Sequence, residues 1–127
     1  MNLLLATHRY SDFVRGEPSA VQAIQSAAKI FIPFIVLGEL RAGFLHGNRA
    51  RENESTLTRI LQRPSVSVLY ADGDTTHHYA LIYQQLRQRG TPVPTNDLWI
   101  AALAVQYELV LFSRDPHFQH VPQIARL

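Results

Sequence analysis

At 127 residues, with 46% hydrophobic and 17% charged side chains, the chain has the composition of one globular domain and excludes a disordered one. Twelve basic residues against ten acidic give a net charge of +2, which permits nucleic-acid binding without demanding it. The lack of cysteine excludes disulfides, thiolate metal sites and a cysteine nucleophile.

Leu3 to Ala6 is a short apolar run and is expected to form a buried strand, with Thr7 and His8 at its carboxyl end. The opening Met-Asn-Leu-Leu-Leu-Ala has no basic leader, and no apolar run approaches the ~18 residues of a membrane span. A soluble, cytoplasmic protein is the expectation. Tyr10 to Val14 reads as a short helix ended by Arg15-Gly16. Pro18 to Ala28 reads as a second, and Ile30 to Ile32 as a strand.

Pro33 suits the start of a helix running from Phe34 to His46 and stopping at Gly47. Another helix covers Asn48 to Gln62 and is broken by Pro64. Val66, Val68 and Tyr70 alternate with their neighbours as in a strand. Asp74 or Thr75 is expected to cap the next helix, which carries Tyr79, Ile82, Tyr83 and Leu86 and ends at Gly90.

Thr95 is expected to cap a helix whose apolar face holds Ile100, Ala101, Ala104 and Val105. Leu109 to Phe112 is a continuous apolar run, the mark of a strand buried on both sides. The tail, His117 to Leu127, holds one edge-strand candidate near Ile124. Short apolar strands alternating with helices predict a central, mostly parallel sheet covered on both faces. The fold class is therefore a three-layer α/β domain over residues 1–127, with the strand order left open.

Three acids carry the chemical interest. Asp97 opens one helix, Asp115 follows the last strand, and Glu39 sits near Ile35, Ala42 and Gly43 on an apolar helix face. Each has an ordinary explanation: a helix-terminal acid, an Asp-Pro turn, and a partner for Arg41 or Arg15. Together they suggest one rim at the carboxyl ends of the strands, where ligands gather in α/β sheets. Clustered carboxylates repel unless a cation compensates, and oxygen donors favour Mg²⁺ or Mn²⁺.

The histidines are the rival metal set. His77 and His78 are adjacent and point apart, and His117 and His120 have no Cys or Glu nearby. They are read as surface residues. Tyr10, Tyr79, Tyr83 and Trp99 are read as core or interface. Glycine-rich phosphate loops and a nucleophile-elbow serine are both missing.

With these residues in view, the chain resembles the PIN-domain family and, within it, VapC-type toxins. The pieces are Leu3-Leu4-Leu5-Ala6-Thr7-His8, Gly38-Glu39-Leu40-Arg41-Ala42-Gly43, Asn96-Asp97-Leu98-Trp99-Ile100-Ala101-Ala102 and Ser113-Arg114-Asp115-Pro116-His117-Phe118. The resemblance implies a Mg²⁺- or Mn²⁺-dependent endoribonuclease, held inactive by a cognate antitoxin and commonly a homodimer. Glu39, Asp97 and Asp115 would then be metal-site acids, with Thr7, Ser113 and Asn96 supporting them.

Ala6 departs from the pattern, because the family has Asp there. Loss of one carboxylate predicts weakened metal binding and impaired catalysis. The intact remaining acids favour a deliberate replacement over gradual erosion. The alternative is a non-catalytic PIN-fold module engaging a protein partner through the apolar face of the Phe34–His46 helix.

Overall fold

The apolar runs assemble into β1 (Asn2–Leu5), β2 (Lys29–Pro33), β3 (Val66–Leu69) and β4 (Val110–Phe112), and the computed structural model describes all of residues 1–127. All pairings are parallel, in the order β3-β2-β1-β4, with Leu3 opposite Ile30 on one side and Val110 on the other. Parallel strands need long crossovers, and helices supply them. α1 (Thr7–Val14) and α2 (Pro18–Ser26) join β1 to β2, and α3 (Phe34–His46) and α4 (Ala50–Leu61) join β2 to β3. α5 (Gly73–Arg89) and α6 (Thr95–Gln106) join β3 to β4. The three-layer α/β expectation holds.

β1 is buried from Leu3 to Leu5, and in α6 every residue from Ile100 to Ala104 is buried. Alanines at 101, 102 and 104 keep that helix narrow where it meets its neighbours. At its edge, Trp99 packs on Tyr79 of α5 with ring centroids 4.1 Å apart and the planes tilted by 31°. Such aromatic pairs contribute roughly 0.5–1.5 kcal/mol beyond their area burial.

Several boundaries differ from expectation. α1 begins at Thr7, three residues early, because Ala6 itself is the cap residue. α4 starts at Ala50 rather than Asn48, and α2 stops at Ser26 rather than Ala28. The cap of α5 is Asp72, not Asp74 or Thr75. Thr75 instead forms the other half of a capping box, returning its hydroxyl to the Asp72 backbone. Thr95 is already helical, Pro94 takes the cap position, and no side chain caps α6.

The tail makes only one bridge to β4, between Leu111 and Arg126. Ile124 packs into the core instead of forming a strand. Of α3, the apolar residues Val36, Leu37 and Leu40 face that same core, so the face offered for a partner is largely covered, and of its large apolar residues only Phe34 and Leu45 remain exposed.

Candidate active site

The strand order creates the site. β1 passes the chain to β2 on one side, while β4 arrives on the other side after β3 at the far edge. A parallel sheet leaves a crevice at the carboxyl ends where its connections diverge like this. Position 6 follows β1 at that crevice. The Ala6 N–H donates to the Phe112 carbonyl (3.1 Å), and the residue caps α1 with extended backbone and no side-chain hydrogen bond. Its methyl group lines a cavity of about 180 Å³ with Thr7, His8, Glu39, Asp97, Ser113 and Asp115.

Each acid reaches the cavity from a different element. Asp97 lies in the first turn of α6, where unpaired backbone N–H groups favour a negative charge. Asp115 follows β4. Its N–H donates to Ser113 Oγ (3.0 Å), and its carboxylate accepts from the His117 N–H (2.9 Å), capping the 3₁₀ turn Pro116–His120. Glu39 projects from α3. Thr7 Oγ1 donates to its Oε1 (2.6 Å), and the Asn96 amide reaches its Oε2 more loosely at 3.5 Å.

The alternative pairings of Glu39 are not made. Arg41 binds Glu54 at 2.9 Å, and Arg15 binds Asp12 at 2.6 Å. The stripe around Glu39 is also less apolar in effect than its composition suggests, since Ala42 and Gly43 are exposed.

His117 is partly exposed, in keeping with its reading as a surface residue, but it also contacts the site acids, which that reading missed. Its Nδ1 stands 2.8 Å from Asp97 Oδ2 and 3.0 Å from Asp115 Oδ1, with the side chain 43% exposed. The expectation considered only Cys and Glu as companions, and it missed that the turn starting at Asp115 brings the ring back to Asp97. The Asp115-Pro116-His117 spacing was the available signal, because an Asp-Pro turn aims residue i+2 toward its own cap.

Electrostatics follow from this crowding. Burial pushes the Asp97 carboxyl above its ordinary range, and the charges of Asp115 and Glu39 push the same way. The His117 hydrogen bond opposes them. The His117 ring is in turn raised, first by its hydrogen bond to Asp97 and further by the charge of Asp115.

The donor set fits a divalent cation. One oxygen from each of Asp97 and Asp115 and a ring nitrogen of His117 lie within 4.8 Å of one another, and Glu39 stands on the wall of the same cavity. Beside it a groove of about 350 Å³ runs between α1, α3 and α4, sharing Thr7, His8 and Glu39. Arg114, between the two site residues of its segment, points away and binds Asp12 of α1 at 2.9 Å.

The PIN domain family model matches residues 4–124. This chain is a PIN-domain protein. It is 30% identical over 95 residues to Ribonuclease VapC4 of Mycobacterium tuberculosis (strain ATCC 25618 / H37Rv), an alignment covering 73% of this chain and 72% of that protein. That extent of likeness puts this PIN domain in the VapC ribonuclease family. Among solved structures, the fold matches VapBC2 from Rickettsia felis bound to a promoter DNA fragment, with a TM-score of 0.89 and 24% identity over 100% of this chain and 98% of that one. It also matches VapBC-5 from Mycobacterium tuberculosis, a member of a toxin–antitoxin family, at a TM-score of 0.77 and 23% identity, covering 99% and 97%. No helix of this PIN domain is long and apolar enough to cross a membrane.

Proposed function

We propose that this PIN domain is the toxin of a toxin–antitoxin pair, an endoribonuclease that uses Mg²⁺ or Mn²⁺ and is impaired by Ala6. The observation that carries this reading is the meeting of Asp97, Asp115 and Glu39, from three separate elements, around one cavity that the Ala6 methyl also lines. The VapC relatives support RNA as the substrate, and the VapBC neighbours support a protein antitoxin. A homodimer and a cytoplasmic location belong to the same proposal.

Asp97 and Asp115 would hold the ion, with Glu39 completing the acidic wall. Thr7 and Asn96 orient the Glu39 carboxylate, and Ser113 fixes the turn that presents Asp115. A divalent ion held there would polarise a phosphodiester and activate water for in-line attack. The adjoining groove, open along Thr7, Glu39 and Tyr10, gives an RNA strand room to lie across the acids.

Position 6 explains the impairment. A carboxylate there would face the cavity from the N-terminus of α1, whose N–H groups favour an anion and now have no side-chain cap. The test is Ala6→Asp. Cleavage of a mixed RNA substrate with Mn²⁺ should rise about 100-fold or more over the parent chain. Asp97→Asn in the same background should remove the gain. An unchanged rate after Ala6→Asp would overturn the nuclease reading.

One observation favours a second reading, a non-catalytic module that binds a protein partner. Phe34 stacked on Tyr70, together with Leu45 and Leu81, leaves apolar surface exposed. Co-purification with a small partner, combined with no cleavage after Ala6→Asp, would select this reading instead.

A further inference from the structure

His117 is the one member of the Asp97–Asp115–His117 cluster that supplies nitrogen rather than oxygen, and a single turn places it. Asp115 Oδ1 accepts from the His117 backbone N–H at 2.9 Å, so the acid and the ring are fixed by the same turn. The ring nitrogen then stands 2.8 Å from Asp97 Oδ2 and 3.0 Å from Asp115 Oδ1. Ligands about 2.1 Å from an octahedral ion lie roughly 3.0 Å apart along an edge. The nitrogen therefore stands at neighbouring-ligand spacing from each carboxylate, and all three atoms lie within 4.8 Å of one another.

We propose that His117 completes a three-donor metal site with Asp97 and Asp115, ligating through Nδ1 and shifting the preference of the pocket from Mg²⁺ toward first-row transition ions. This rests on the reading that the acids hold a divalent ion, and it adds the ligand and the selectivity. Position 6 offers only a methyl group, and a ring nitrogen beside Asp97 and Asp115 adds a donor to the two carboxylates. In the metal-free chain Nδ1 shares its proton with Asp97; an ion bound there would displace that proton to solvent and leave the ring proton on Nε2. Imidazole nitrogen suits transition ions, whereas Mg²⁺ demands oxygen ligands and keeps much of its water. His8 also lines the cavity, but no acid lies within hydrogen-bond distance of its ring.

The experiment uses the parent chain with Mn²⁺ as the probe. Electron spin-echo spectroscopy of the bound ion should show coupling to one histidine nitrogen. Mg²⁺ should displace the Mn²⁺ only in about 100-fold excess. His117→Gln should abolish the nitrogen coupling and weaken Mn²⁺ binding by about tenfold or more, a larger factor than it weakens Mg²⁺ binding. His8→Gln should keep the coupling. Tight Mn²⁺ binding without nitrogen coupling in the parent would overturn the proposal and leave the acid-site reading standing. Coupling that survives His117→Gln and disappears in His8→Gln would also overturn it. Failure of the parent to bind Mn²⁺ at millimolar concentration would overturn the proposal, while the acid-site reading would still be decided by the Ala6→Asp variant.

Discussion

Asp97 shows how one side chain can work against the fold it belongs to. Burial and the neighbouring acids raise its pKa in the folded chain, with His117 offsetting part of the shift. A carboxyl whose pKa rises on folding holds its proton more tightly when folded. Its stabilising contribution is thus present at low pH and lost as pH rises through the folded value, so the ionised form costs stability at neutral pH. Asp97→Asn should raise the thermal midpoint of the metal-free protein by about 2–4 °C at pH 7, with the difference shrinking in acid. Calorimetry in a chelating buffer measures this. A lower midpoint would mean that the His117 contact outweighs burial and repulsion.

Position 6 belongs to the same scale but differs in kind. Its alanine is legible in sequence only against a family pattern. The fold adds that the methyl group sits at an uncapped helix start on the cavity wall.

Between elements, the junction of α5 with α6 carries the most buried polar contact. Thr75 is fully buried. Its hydroxyl accepts from the Asp72 N–H at 2.9 Å and donates to Gln106 Oε1 at 2.6 Å. The Gln106 amide returns to Asp72 Oδ1 at 3.0 Å, so the start of one helix is tied to the end of the next. Thr75→Val keeps the shape and leaves those polar partners unpaired. It should destabilise the protein by about 2 kcal/mol in urea unfolding. The sequence suggested a cap in this region but chose the wrong residues, because Asp72, Asp74 and Thr75 all have capping chemistry. Only the reach of Gln106, 31 residues further on, distinguishes them.

Across the whole molecule, Asp12 links the first helix to the last turn. It is buried at 4% exposure and accepts from Arg114, Arg9 and Arg15. The Arg114 hydrogen bond is the main reason its carboxyl lies below the ordinary range. A depressed folded pKa gives stability that is present above the unfolded value, about 3.9, and is lost as pH falls through the folded value. Asp12→Asn should therefore lose about 1–3 kcal/mol at pH 7, and the gap to the parent should begin to narrow only below about pH 4 and close once pH passes below the folded value. Chemical unfolding at both pH values measures it. An equal deficit at both would assign the effect to packing rather than charge. Because Arg114 adjoins Asp115, this tie also steadies the turn that presents the site acid.

The sequence by itself determined the fold class, the order of strands and helices, and most element positions, because hydrophobic periodicity and Gly/Pro punctuation are local signals. It also singled out Glu39, Asp97 and Asp115 as unusual. Tertiary structure alone decided that β1 and β4 are neighbours, which brings Ala6 and Asp115 to one crevice. It alone placed His117 against Asp97. Both facts depend on how segments 20 to more than 100 residues apart pack, and periodicity along the chain carries no record of which strand edges meet.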